Sequence, residues 1–144
     1  MASIEERFSA ALHGTARAWR LAIDRRLKHL GLSQASWMAI AYIAKAKTAP
    51  AQTRLAASVG VEDPTMVATI DRLVKAGYVL RTPSETDRRV KLVSLTAAGQ
   101  QVYDSVAKEA HAVRRALLAN ADPGVLRTVT EFLEAIQTDI ESCS

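Results

Sequence analysis

The chain has 144 residues, 49% hydrophobic and 24% charged, and no run approaches the roughly 18 consecutive apolar residues of a membrane helix, so the expectation is one soluble folding unit. A net charge of +4 conceals an asymmetry: residues 1–91 hold 15 Lys and Arg against 8 Asp and Glu, whereas residues 92–144 hold 4 against 7. The basic first two thirds suit a polyanionic partner, and a single cysteine, Cys143, excludes an internal disulfide and a multi-cysteine metal site.

The N-terminal "MASIEERFSAALHG" carries two glutamates before its first arginine and has no apolar h-region, so it does not read as a secretory signal, and a cytoplasmic location is expected. From Ile4 to Leu30 the residues Ile4, Phe8, Leu12, Trp19, Ile23, Leu27 and Leu30 recur at helical spacing, which predicts one long amphipathic helix. Gly31 ends it, and Ser33 offers an N-cap to a second helix with Trp37, Ile40, Ala41 and Ala44 as its buried side. "KTAPAQ" reads as a loop broken by Pro50.

A short helix is expected from Gln52 to Val59, stopping at Gly60. The next starts with Asp63 as N-cap and Pro64 at the first helical position, carries Met66, Val67, Ile70, Leu73 and Val74 on its apolar side, and ends at Gly77. Two short helices around a tight turn make a helix-turn-helix. After Gly77 the period changes from 3.6 to 2: "YVLRT" and "VKLVSL" read as two strands joined by the polar "PSETDRR", a β-hairpin wing. Thr96 can cap a helix striped by Val102, Val106, Ala110, Val113 and Leu117. "NADPG" interrupts it, and a last helix from Pro123 to about Ile140 presents an apolar face too broad for one neighbour in a small domain. The expected architecture is mainly α with a small β-hairpin wing, a winged helix-turn-helix over 31–96. The helical regions 1–30 and 97–144 are expected to bury their apolar faces against a second copy, making a homodimer.

An α-helix fits the major groove of DNA and reads base edges from its first turns, while phosphate contacts set its register. The presented residues here are Asp63, Pro64, Thr65, Val67, Ala68 and Thr69; none is a bidentate Arg or Asn reader, so part of the specificity must come from the wing. An arginine at a hairpin tip can enter the minor groove. In "DRR", Asp87 would cancel charge in a plain electrostatic patch but makes sense as an orienting partner for Arg89, leaving Arg88 to project. Thr53 and Arg54, at the start of the shorter helix, suit phosphate contacts, although Arg54 reads equally as surface charge.

"DRRVKLVSLTAAG" fits a D-x-R-x-x-x-x-x-L-T pattern with a following glycine, on Asp87, Arg89, Leu95, Thr96 and Gly99, and "LAASVGVEDPTMVATIDRLVKAGYVLR" and "GLSQASWMAI" extend the match. The sequence thereby resembles the MarR (multiple antibiotic resistance regulator) family over nearly its whole length, and its SlyA-like subgroup in the second helix. The resemblance implies a dimer joined by its terminal helices that binds palindromic promoter DNA as a transcriptional regulator, expected to be a repressor. It places Pro64, Thr65, Val67 and Ala68 at base-reading positions, Arg88 in the minor groove, and Arg89 with Asp87 as the pair that holds the wing. Ala68 departs from the arginine that SlyA-like relatives often carry there, which implies a different operator. The resemblance also implies a small aromatic or phenolic anion as effector. The resemblance places that effector between the dimer helices and the winged domain, and Trp19 and Trp37 lie near that junction with His13, Arg17, Arg20 and His29 as potential partners, while packing into the core is the stronger reading for both tryptophans. No cofactor, catalytic group or metal site is expected: the chain lacks a nucleophile with a base, a phosphate loop, and ligand spacing among His13, His29 and His111. The runner-up reading is an effector-independent architectural DNA-binding dimer.

Overall fold

The computed structural model describes residues 1–143, which form two compact units, one from Met1 to His111 and one from Ala112 onward. Six α-helices and one hairpin follow in the order α1 (Ile4–Arg26), α2 (Gln34–Lys45), α3 (Gln52–Val59), α4 (Asp63–Lys75), β1 (Val79–Pro83), β2 (Lys91–Leu95), α5 (Ala97–Leu118) and α6 (Pro123–Ser142). The division between the units falls inside α5. Among the described residues no helix is long and apolar enough to cross a membrane.

α1 opens with a reciprocal cap: the Glu6 backbone N–H donates to Ser3 Oγ at 3.1 Å and the Ser3 N–H donates to Glu6 Oε2 at 3.0 Å. It stops four residues earlier than the periodicity predicts. The Leu27 N–H is shared between the carbonyls of Ile23 and Asp24, which tightens the last turn into a 3-10 segment over Lys28–Leu30, and Gly31 closes it at φ 68°. This leaves Leu27 fully buried. The Arg26 guanidinium donates from Nε to Glu109 Oε2 at 2.7 Å, tying the end of α1 to α5 and holding the Glu109 carboxyl below its usual range.

Ser33 caps α2 as expected, accepting from the Ser36 N–H. The buried stripe of α2 is Ser36, Ala39, Ile40 and Ile43 with Trp37, whereas Ala41 and Ala44 are only half-buried. The expected face was rotated because α2 packs on α3, α4 and β2 together, and the 36/39/40/43 spacing faces that group. Met66, Ile70 and Leu73 of α4, Leu55 and Ala56 of α3, and Val79 and Val93 of the hairpin complete the core. Val67 and Val74, expected on the apolar side of α4, are exposed.

The N-cap of α4 is Glu62 rather than Asp63, and no side chain caps it. Asp63 and Pro64 instead fill the first helical turn, where amide hydrogens have no intrahelical acceptor and proline costs nothing. Gly77 then adopts φ 84°, with the Tyr78 N–H returning to the Leu73 carbonyl at 2.9 Å. The strands pair antiparallel from Val79 opposite Leu95 to Pro83 opposite Lys91. The segment read as a plain loop joins this sheet: the Val93 N–H donates to the Pro50 carbonyl at 2.9 Å and Ala51 bridges Leu92. Pro50 interrupts a helix but keeps its carbonyl as an acceptor, which is all the edge strand requires. In α6, Asp122 is the N-cap residue without a side-chain bond, and Val125, Leu126 and Val129 are exposed.

Candidate nucleic-acid interface

α3 and α4 hold the geometry of a helix-turn-helix because each ends in a glycine at positive φ and each buries one narrow face. What α4 buries decides what it can offer. Met66, Thr69, Ile70 and Leu73 face inward, so Pro64, Thr65, Val67 and Ala68 are left exposed on the first two turns. Thr69, expected among the presented residues, is removed from that set. It is completely buried, and its hydroxyl donates to the Thr65 carbonyl at 2.8 Å, satisfying the one polar group that burial would otherwise strand. Thr53 and Arg54 are exposed on the first turn of α3.

The loop between the strands is organised by its own short side chains. The Ser84 N–H donates to the Val90 carbonyl at 2.8 Å, closing the loop, and the Thr86 N–H donates to Ser84 Oγ at 3.3 Å. Asp87 takes three bonds from one residue: the Arg89 backbone N–H at 3.1 Å, Arg89 Nε at 3.2 Å on the same oxygen, and Arg89 Nη2 at 3.3 Å on the other. These bonds hold the Asp87 carboxyl below the usual carboxylate range, the side-chain bond most of all and the backbone bond next. Among the described residues the Arg88 guanidinium has no partner, while its carbonyl accepts from Lys91 Nζ at 3.4 Å. One arginine is therefore spent within the loop and the other is exposed at its tip.

Sequence reasoning passed over Arg81. On β1 it shares a face with Val79, which is buried, so alternation alone put a guanidinium on the inward side. Its Nη1 lies 2.8 Å from Asp71 Oδ1, its Nε donates to Gln52 Oε1 at 3.0 Å, and its Nη2 donates to the Val67 carbonyl at 3.4 Å. A charged residue at a strand position that must face the core was the available signal.

The residues considered for an effector are not gathered in one place. Trp37 is buried, its Nε1 donating to Asp24 Oδ1 at 3.1 Å, and its ring lines a cleft of about 240 Å³ with Arg20, Ile23, Met38, Ala41, Tyr42 and Lys45. Trp19 is half-buried, and His13 and Arg17 are exposed further up α1; none of the three lines this cleft. His29 is likewise exposed. A second recess of about 260 Å³ shares Tyr42 and Lys45 and includes Arg54.

Residues 30–90, which carry the helix-turn-helix and most of the wing, match the model of the MarR family. The chain is 37% identical to the transcriptional regulator PA3341, over 94% of this chain and 98% of that one, with a TM-score of 0.86. It is similar in fold to CouR from Rhodococcus jostii RHA1, solved bound to p-coumaroyl-CoA, at 21% identity, 94% and 95% coverage and a TM-score of 0.79. The transcriptional regulator SlyA is similar in fold at 17% identity, 94% coverage of each chain and a TM-score of 0.79.

Proposed function

The chain belongs to the MarR family of transcriptional regulators, and on that premise we propose that it acts as a homodimer that binds palindromic promoter DNA and represses transcription until an aromatic or phenolic effector releases it. One observation carries the DNA-binding part. The exposed Thr65, Val67 and Ala68 of α4 stand beside a wing whose Asp87 engages Arg89 and leaves the Arg88 guanidinium unengaged. In this reading α4 enters the major groove, Pro64, Thr65, Val67 and Ala68 approach base edges, and Thr53 and Arg54 meet phosphates. Arg88 enters the minor groove, where potential rather than a base pattern attracts it. Few strong base readers are offered, so shape readout contributes a large share of the specificity.

A second copy covers the exposed apolar side chains of α6, among them Val125, Leu126 and Val129, and those of α1, among them Ile4, Leu12 and Leu21. Two-fold symmetry then calls for two half-sites separated by about 34 Å, one duplex turn. The effector part is supported by the cleft beside Trp37, where Arg20 and Lys45 offer positive charge next to an indole and a phenol. It is also supported by the phenolic ligand of CouR.

Fluorescence anisotropy on duplexes from the region upstream of the gene, against scrambled duplexes over a salt series, tests the reading. Tight binding of two chains per duplex, with a clear preference for the upstream sequence and steep salt dependence, is expected. Equal affinity for scrambled DNA would overturn it. Addition of 4-hydroxycinnamate to the complex then tests release, and an affinity unchanged across a panel of such acids returns the protein to the effector-independent class.

A further inference from the structure

We infer that Arg81 is a positioning residue for DNA recognition: it sets operator preference by locking α3, α4 and the wing into one rigid reading head, without itself touching DNA. The inference rests on the DNA-binding reading above and adds a residue to it.

The argument begins with where the three acceptors lie. Gln52 is the first residue of α3, directly before Thr53 and Arg54; Val67 and Asp71 are one turn apart on α4; Arg81 itself stands on β1, opposite Val93. The three elements that carry the phosphate-contacting, base-reading and minor-groove residues are thus bonded to one side chain. Two of the bonds form a fork. Nη1 meets the Asp71 carboxylate and Nη2 the Val67 carbonyl, so the guanidinium plane spans one turn of α4, the turn that begins at a base-reading position. A rotation of α4 about its axis, or a slide along it, would break one tine of the fork. The third bond, from Nε to Gln52, ties the same plane to α3.

The chemistry requires arginine. A planar guanidinium presents donors in fixed directions, whereas an ammonium is a single point that can satisfy one of these acceptors but cannot fix their angles. The net stability involved is small, because the Asp71 side chain is 58% exposed and a partly solvated ion pair contributes little. A contact that contributes little to folding yet couples three reading elements is suited to fixing geometry.

The test uses full-length protein and compares operator with scrambled duplex for the parent, Arg81→Lys and Asp71→Asn, with melting temperatures alongside. Arg81→Lys should lower the ratio of operator to scrambled affinity by about tenfold, comparable to the discrimination carried by one base pair. The slope of log affinity against log salt should stay at the parent value, since no phosphate contact is lost. Asp71→Asn, which removes charge at an exposed position, should lower the ratio about threefold with the melting temperature unchanged. It keeps the test open should Arg81→Lys fold poorly. Preserved ratios in both variants would overturn the inference. So would a slope shallower by about 0.9 for Arg81→Lys, which would mark Arg81 as a direct phosphate ligand. A fall in operator and scrambled affinity together would mark a merely structural residue, with the same consequence. A parent that shows no sequence preference would instead sink the DNA-binding reading itself.

Discussion

Arg89 is bonded to Asp87 through both its backbone N–H and its guanidinium, over distances of 3.1 to 3.3 Å, two residues apart at the tip of the wing. The pairing depresses the Asp87 carboxyl, through the side-chain bond first and the backbone bond second. A depressed folded-state pKa contributes order that is present above the ordinary aspartate value, near ~4, and is lost as pH falls through the folded value. The wing should therefore hold one conformation from neutral pH down through mildly acid conditions and loosen only below the ordinary aspartate range. Amide exchange at Arg89 and Val90 across pH would show this. Asp87→Asn should raise their exchange at neutral pH; protection equal to the parent's would mean that the loop is held by Ser84 and Thr86 instead.

Arg88→Ala tests the other arginine. Because its guanidinium has no partner among the described residues, its removal should leave the melting temperature unchanged. Operator affinity should fall by about 1–3 kcal/mol, with a salt slope lower by roughly one if the side chain meets phosphates at the groove edges. Undiminished binding would reduce the paired arginines to a solvated turn.

Thr96 joins three segments. Its hydroxyl donates to the Gly77 carbonyl at 2.6 Å and accepts from the Gly99 N–H at 3.0 Å, while its own N–H donates to the Tyr78 carbonyl at 3.0 Å. Gly99 follows because a Cβ there would collide with the Tyr78 carbonyl oxygen, backbone that cannot step aside, and would press on Leu95 Cδ2 at 3.2 Å. Gly99→Ala should cost about 1–3 kcal/mol of stability, and Thr96→Val about 1 kcal/mol through loss of the cap. Thermal or urea unfolding measures both, and a neutral Gly99→Ala would show that α5 is free to shift away from the turn.

The exposed face of α6 supplies a test of assembly. Val129→Asp, alone or with Val125→Asp, alters side chains already in contact with solvent in the single chain, so each chain should stay folded. Sedimentation should move from twice the chain mass to the 15.6 kDa of one chain, with operator binding lost. An unchanged dimer would place the subunit contact elsewhere.

Much of the fold was legible because local signals agreed. Ser33 and Thr96 cap helices, Gly31, Gly60 and Gly77 end helical segments at positive φ, and the change of period after Gly77 marked the hairpin to within a residue. The errors share a cause. Periodicity reports that a helix has an apolar side but not how many neighbours pack on it, so by itself it points the stripe of α2 toward the half-buried Ala41 and Ala44 and counts the exposed Val67 and Val74 as core. The methyl and hydroxyl of Thr69 suit either side of the helix, and it is the closeness of the Thr65 carbonyl, reached only in the folded helix, that lets the hydroxyl be buried.

The candidate interface divides along the same line. Composition, capping residues and the "DRR" run determined by themselves that this chain forms two short helices followed by a basic wing, because caps, glycine turns and pairs two residues apart act over one or two turns of chain. The contacts of Arg81 with Gln52, 29 residues away, and with Val67, 14 away, were decided by the tertiary structure alone. A half-buried guanidinium must find acceptors, but which ones it finds depends on how three elements pack, and no local pattern in the chain encodes that.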